Sequence, residues 1–462
     1  MKTNFLNLVF ISLFTCFFTK TTATEILPLL EIKTNQGLIA FDYHPDGSKI
    51  ATGGKGKDIV IWDIATKRSL LTLKGHTDDV VSLHYSPNGR LIASSSADRQ
   101  LIVWDAITGT IITSVKSEKD YVRDVAFSPD SKYLASANWE NTTVIWNALT
   151  AKKVAVLENY TNYITSVAFS KDGTRLITGS SNKNIKLWET TSWKEILTLQ
   201  GHNNEIHELS FSNNGKYILS AAADNTTRIW EAETGKEAVN IITHSSENKS
   251  ASFSPNDQTV ATSGGDKKVK IWDLATSQLI YELSENTFDA SVEEVRFSPD
   301  GKNIATVSQD GFLRVFIAPT LRDRRDAFVK NNLTTWKQKT EFESEKELET
   351  RLLQMPTFAQ QFSSNFDQKV LDFFEKNTKW ATIALEKYDP DEEIYYITSP
   401  ILGDLFLRIP PIEAEKFKIN FEKATIKKPT YVVSLETVQL DFVEINIPIG
   451  DDIKGYLLLT KI

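Results

Sequence analysis

His76, Ser96 and Asp98 are the residue types of a nucleophilic hydrolase: a hydroxyl to attack, an imidazole to take its proton, a carboxylate to orient the imidazole. Trp104 follows Asp98 by six residues. That spacing returns along the chain. Asp224 stands six residues before Trp230, Asp266 six before Trp272, and Asp310 six before Phe316. His202 and His244 take the place of His76 in their own copies. A catalytic triad occurs once in a chain, so recurrence argues for a repeated structural device instead. By position, Ala222 and Gly264 then stand where Ser96 stands, and Glu118 and Tyr160 stand where His76 stands. Blades with those replacements are expected to lean on apolar packing.

Two other segments hint at chemistry and fail on spacing. Gly53-Gly54-Lys55-Gly56-Lys57 lacks the spacing of a phosphate-binding loop and no helix follows it, so it reads as a hairpin turn. Asp389-Pro390-Asp391-Glu392-Glu393 lacks the alternating ligands and central Gly of a calcium loop, so it reads as a solvated turn. The single cysteine, Cys16, falls in the first residues, so the rest of the chain carries no disulfide and no thiolate metal site. No cofactor and no metal are expected.

The elements that position these residues follow from one period. Trp62, Trp104, Trp146, Trp188, Trp230 and Trp272 are each 42 residues apart, and Phe316 follows 44 residues after the last. Each closes an apolar run, such as Ile-Val-Ile-Trp-Asp at 59–63. A second fixed element precedes it: Phe-Ser-Pro-Asp at 127–130 and 297–300, with variants at 85–88, 169–172, 211–214 and 253–256, and Tyr43-His44-Pro45-Asp46 at the start. Pro presets φ, and Asp, Asn or Gly accept turn geometry, so this is a hairpin between two strands. A repeat of this length with a Trp-Asp ending is the signature of a four-stranded propeller blade. The seventh copy stops at Phe316-Ile317-Ala318-Pro319 without a fourth strand. Leu29-Leu30-Glu31-Ile32-Lys33 matches the fourth strand Leu70-Leu71-Thr72-Leu73-Lys74, so the start of the array is expected to complete the last blade and remove two open edges.

These residues resemble the WD-repeat family over 34–316. The resemblance implies an all-β seven-bladed propeller in which His76, Ser96, Asp98 and Trp104 form a buried hydrogen-bond network. His202, Asp224 and Trp230, then His244, Asp266 and Trp272, and finally Asp310, would do the same elsewhere. It also implies a ligand face where each first strand begins and where a turn precedes the Asp. The matching positions are Asp79 and Val81; Tyr121, Arg123 and Trp139; Tyr163 and Thr165; Glu205 and His207; Glu247 and Lys249; and Gln309. Aromatic side chains and Arg are enriched at interface hot spots. The implied function is a non-enzymatic scaffold that binds a protein or peptide. The alternative is a propeller enzyme or small-ligand binder working through the axial channel, which needs one convergent set of titratable groups.

The chain has 462 residues and a net charge of −8. With no long Lys/Arg stripe, nucleic acid is not an expected partner. Residues 1–23 read as a signal peptide: Lys2, an apolar run from Phe5 to Phe18, then Thr21-Thr22-Ala23. That leader places the protein in the periplasm or on the surface of a bacterium, with no stable membrane span after cleavage; lipid anchoring through Cys16 is the alternative. The propeller is expected over 24–319 and a charged helical connector over 320–355, with a second helix starting at the capping box Ser344-Glu345-Lys346-Glu347. A smaller α+β domain is expected over 356–462, with a helix over Phe358–Lys376, another opening at Pro411, and six strands between Trp380 and Leu459. It contains no His, which excludes His-based catalysis there. Trp336, Glu341-Phe342-Glu343, Tyr388-Asp389-Pro390-Asp391 and Gly403-Asp404-Leu405 resemble a module trailing repeats in exported bacterial proteins.

Overall fold

A computed structural model describes residues 26–337 apart from 118–120, 139, 159–160 and 284–286, then residues 354–377, and seven strand segments between Ala384 and Thr460. The leader 1–23, the capping box at 344–347 and the helix expected from Pro411 lie outside the described residues.

Seven four-stranded antiparallel sheets follow one another, one for each copy of the repeat. The second is typical: Val80–Tyr85, Leu91–Ser96, Gln100–Asp105 and Ile111–Lys116 pair in that order. Its second strand, Leu-Ile-Ala-Ser-Ser-Ser, is buried along its whole length because blades cover it on both faces. The outermost strands alternate, as in Glu195–Leu199, because solvent reaches one side. The apolar core is divided among the blade junctions. Leu83, Trp104 and Ile61 fill the gap between blades 1 and 2, and Val125, Leu101 and Leu134 the gap between 2 and 3. The same device repeats to the last junction, where Phe41 and Ile50 meet Val307 and Leu313.

The turn between first and second strands shows why Ser and Asp recur there. In blade 2, Ser86 Oγ accepts the Leu91 N–H at 2.9 Å and donates to Asn88 Oδ1 at 2.8 Å. Ser128 and Asp130 do the same in blade 3, with Tyr133 as the N–H donor. The chain then needs a left-handed residue, met by Gly89 (φ 71°) in blade 2 and by Ser131 (φ 61°) in blade 3.

Each first strand also slips by one residue against its neighbour, for example between Val80 and Ser82 and between Ile206 and Glu208. The bulged residues are Val81, Arg123, Thr165, His207 and Lys249 in blades 2 to 6. A bulge re-aims a side chain out of the pleat. It therefore turns these residues toward the channel mouth.

Leu30–Lys33 runs antiparallel beside Phe312–Ile317, with Leu30 opposite Val315 and Lys33 opposite Phe312. Leu30 and Ile32 are buried, Thr34 Oγ1 donates to the Gly311 carbonyl at 2.8 Å, and Arg314 Nε reaches Glu31 Oε2 at 3.0 Å. The ring is closed by its own start.

After the ring come helix α1, Leu321–Lys337, and helix α2, Met355–Asn377. Helix α1 lies on blade 6. Arg324, 3% exposed, reaches Asp273 Oδ2 and Gln258 Oε1, and Asn331 Nδ2 donates to the Leu279 carbonyl at 3.1 Å. Arg325 joins the two helices through Asp367 at 2.6 Å, beside the Phe328–Phe366 ring contact. The C-terminal strands form one antiparallel sheet in the order Ala384–Asp389, Ile394–Ser399, Gly403–Arg408, Asp452–Thr460, Val438–Ile449, Thr425–Ile426, and Thr430–Val433 also pairs with Val438–Ile449.

Closure by Leu30 predicts a global effect from a local change. Leu30→Ala should cost about 2–4 kcal/mol through cavity formation. It should lower one cooperative melting transition of the whole ring, followed by circular dichroism. A separate early transition confined to blade 7, or an unchanged melt, would contradict closure as the coupling element.

Candidate functional site

The first candidate site resolves into the recurring internal clip. All six repeat tryptophans donate their indole N–H to a hydroxyl ten residues earlier: Trp62 to Thr52 (2.8 Å), Trp104 to Ser94 (2.8 Å), Trp146 to Ser136 (3.0 Å), Trp188 to Thr178 (2.8 Å), Trp230 to Ser220 (2.9 Å) and Trp272 to Thr262 (3.1 Å). Three blades extend the chain of bonds to a His and an Asp. His76 contacts Ser94 at 2.8 Å and Asp98 at 3.0 Å. His202 contacts Ser220 at 2.7 Å and Asp224 at 2.9 Å, and His244 contacts Thr262 at 3.0 Å and Asp266 at 2.8 Å.

The hydroxyl in blade 2 is therefore Ser94, and the expectation for Ser96 is corrected. Both lie on one face of Leu91–Ser96, two residues apart. Ser96 sits at the strand end, where its Oγ donates to the Asp78 carbonyl at 3.1 Å and accepts the Asp98 N–H at 3.1 Å. The same register error placed Ala222 and Gly264 in the hydroxyl position. Ser220 and Thr262 occupy it, so blades 5 and 6 carry complete networks. Glu118 and Tyr160 lie outside the described residues. Blade 7 differs by chemistry: Asp310 accepts from Arg314 Nη1 at 3.0 Å, and the Arg314 guanidinium lies 5.1 Å from the centre of the Phe288 ring. Arg314 thus replaces the His. The Ser or Thr ten residues before each Trp was a readable signal for this network.

These groups cannot act as a nucleophile and base. Ser94 is fully buried and the side chain of His76 is 0% exposed. The oxygen of Ser94 already accepts from Trp104. Burial lowers the His76 pKa against the pull of Asp98. A neutral ring with Nδ1–H on Asp98 leaves Nε2 to accept from Ser94. Asp98 is lowered in turn: burial works against this, but the Thr77 and Gln100 N–H groups and His76 outweigh it.

At the channel mouth, three of the expected face residues meet. Arg123 Nη2 lies 3.3 Å from Glu205 Oε1, and Tyr163 OH donates to Glu205 Oε2 at 2.8 Å, so blades 3, 4 and 5 are tied at one carboxylate. Tyr121 is 43% exposed beside them. His207 faces the Asn248 carbonyl at 3.0 Å, and Lys249 pairs with Glu247. Gln309 reaches Glu293 at 2.9 Å in blade 7. Asp79 lies on the exposed blade-2 loop, where its carbonyl accepts from Ala97, apart from the Glu205 group. Trp139 lies outside the described residues.

Inside the channel is a group that periodicity did not single out. Arg296 lies 2.5 Å from Glu294, 3.5 Å from Glu208 and 4.0 Å from Asp42, and His84 sits 3.7 Å from Asp42 and 3.6 Å from Asp124. Only their departure from the repeat consensus could have marked them. Burial pushes Glu208 up to about 7, with Glu294 and Asp124 adding to it and Arg296 opposing. Glu294 is raised by burial too. For His84, burial and Arg296 work downward, but Asp124 and Asp42 outweigh them and raise it.

Two outcomes follow. Ser94→Ala should cost about 1–3 kcal/mol, since it leaves buried Trp104 and His76 nitrogens without a partner, and more than Ser96→Ala in the same denaturant titration. Equal costs would contradict the corrected register. Glu208 also carries a pH signature. Its folded pKa lies above the unfolded value, so its contribution to stability is present below the ordinary carboxylate range and lost as pH rises from 4.5 through about 7. Glu208→Gln cannot ionise. Its melting temperature should therefore climb relative to wild type between pH 5 and pH 8.

Comparison with known proteins agrees with the architecture. A 48-residue stretch is 48% identical to pre-mRNA-processing factor 19 of Mus musculus, and the same holds for that of Rattus norvegicus. The stretch is 10% of this chain, and the chain spans about a tenth of the length of these curated relatives. Among the described residues, no helix is long and apolar enough to cross a membrane. Propellers of the WD type typically mediate protein interactions. Residues 38–317, well over half the chain, match the family described as IFT122 first beta-propeller, with the seven blades and the recurring Trp clip in phase; the chain belongs to that family of WD-repeat propellers.

Proposed function

We propose that this protein is an exported, non-enzymatic scaffold that holds a protein or peptide partner across the channel-mouth face of blades 3 to 5. The observation that carries the reading is the junction of Arg123, Tyr163 and Glu205, contributed by three successive blades. The internal clips do not use these residues. An Arg with aromatic neighbours is the composition of an interface hot spot. The bulged backbone supplies a fixed platform for them, which lowers the ordering cost of binding.

The leader 1–23 would deliver the protein to a bacterial periplasm or cell surface, and the C-terminal part would serve as a second docking element. Against an enzyme stands the character of the His/Ser/Asp groups, which are buried and repeated. The net charge of −8 disfavours nucleic acid as the partner.

A crosslinking pull-down from the native envelope identifies the partner, and N-terminal sequencing of the mature chain tests export. Arg123→Ala or Tyr163→Ala should then weaken binding by about 2 kcal/mol or more while lowering the melting temperature far less than loss of a clip does. Trp139→Ala belongs in the same series. Trp104→Ala is the contrast, since it removes a clip and should destabilise its blade. If the face variants bind as wild type does, the partner uses another surface.

A further inference from the structure

The first strands present side chains to the axis in rings, and four blades share one bond there from which blades 1, 2 and 5 depart. At the third residue of these strands, Asp124, Ser166, Ser250 and Glu294 each accept a backbone N–H from the next blade: Val167 at 3.0 Å, Leu209 at 3.2 Å, Val295 at 3.2 Å and Phe41 at 2.7 Å. These bonds clip blade to blade. Glu208 holds the same position in blade 5, and among the described residues it makes no such bond. Its carboxylate is held instead by the Ser250 hydroxyl of blade 6 and by Arg296 across the channel at 3.5 Å.

Space lies beside it. At the fifth residue of the strands, Asp42, His84 and Arg296 crowd blades 1, 2 and 7. Blades 3 to 6 carry only Ala126, Ala168, Ser210 and Ser252 there. The resulting cavity has a volume of about 580 Å³, within the range of small-ligand sites. Two hydroxyls lining it are buried and, among the described residues, have no hydrogen-bond partner: Thr165 Oγ1 and Ser210 Oγ, with Thr165 only 4% exposed. Orphaned buried hydroxyls are costly unless something else completes them.

The charge of the lining sets the sign of the ligand. Asp42, Asp124, Glu208 and Glu294 face one guanidinium and one imidazole, an excess of negative charge. Arg123 and Lys249 also line the cavity at its mouth, but they are paired outward with Glu205 and Glu247. We infer that the axial channel beside Glu208 is a binding site for a primary ammonium group, borne by a small free amine or by a lysine side chain of a docked protein. Three acceptors on adjacent blades, the Glu208 carboxylate and the Thr165 and Ser210 hydroxyls, match the three N–H donors of an ammonium. A planar guanidinium would meet Arg296 with like charge over a wider area. Because Glu208 titrates at about 7, an arriving cation drives it to ionise and releases a proton. Affinity should therefore strengthen as pH rises through 7.

The test uses the full chain and two probes, n-butylamine and N-acetyl-lysine methylamide, titrated calorimetrically at pH 7 in two buffers of different ionisation heat. The expected result is saturable binding with net proton release. Glu208→Gln should weaken it about tenfold or more, as expected for losing one buried charge-assisted contact. Thr165→Val should weaken it less, and n-butanol should not bind. Binding of both probes admits a free amine; binding of the lysine analogue alone assigns the site to a partner's side chain. No saturable heat from either probe, or wild-type affinity in folded Glu208→Gln and Thr165→Val proteins, overturns the site. Neither probe engages the outer face, so this failure leaves the partner reading standing, and failure of the Arg123→Ala test leaves the channel site standing.

Discussion

No blade of this protein can bury both of its faces alone. Each sheet is apolar on two sides, and each core cluster is shared by two neighbours, so the blades are stable only in contact with the next. An open row would leave one apolar face exposed at each end. The ring solves this by bringing Leu38 and Phe41 of blade 1 against Val307 and Leu313 of blade 7. The closing strand Leu30–Lys33 makes the junction hydrogen-bonded as well as apolar. Everything placed at the axis, including the bulged residues and the channel carboxylates, depends on that closure, since their positions are set by seven blades at once.

Within this frame the blades solve the same local problem with different parts. The indole-to-hydroxyl bond is present in all six Trp blades, and the His and Asp are added in blades 2, 5 and 6. Blade 7 keeps an aromatic in place of the Trp and recruits Arg314 to hold Asp310. Arg314 also reaches Glu31 on the closing strand, so the substitute clip and the closure share one guanidinium. The same economy appears at the axis, where small side chains on blades 3 to 6 leave the room that charged ones fill on the other side.

The seven blades, their order and the hairpin turns were legible because each is a local pattern repeated in phase. The His and Asp partners of the network were legible for the same reason. The choice between Ser94 and Ser96 was harder, because they lie two residues apart on one face of one strand, and only the comparison of all six copies shows that the hydroxyl recurs ten residues before the Trp and not eight. The pairing of Ile92 with Trp104 places Ser94 under the indole. The repeat phase put Arg123, Tyr163 and Glu205 at matching positions of adjacent blades, but their meeting at one carboxylate needed the curvature of the ring. The channel group was illegible for a deeper reason. Asp42, His84, Asp124, Glu208 and Arg296 come from blades 1, 2, 3, 5 and 7, and although they share strand positions, nothing in the repeat marks which of them are paired when the ring closes.

The Asp of the Trp-Asp pair normally caps its own turn, as Asp63 does for Thr66. In blade 6, Asp273 caps Thr276 with one oxygen and holds Arg324 of helix α1 with the other. Helix α1 follows blade 7 in the chain, yet it is fastened to blade 6. Mechanical load applied to the C-terminal part therefore enters the ring at blade 6, through the turn residue Gln258, Asp273 of the Trp strand and Leu279 of the outer strand. It bypasses the Leu30–Lys33 seam. Tension on the tail is borne by a complete blade, and the one joint made by distant parts of the chain is left unstressed.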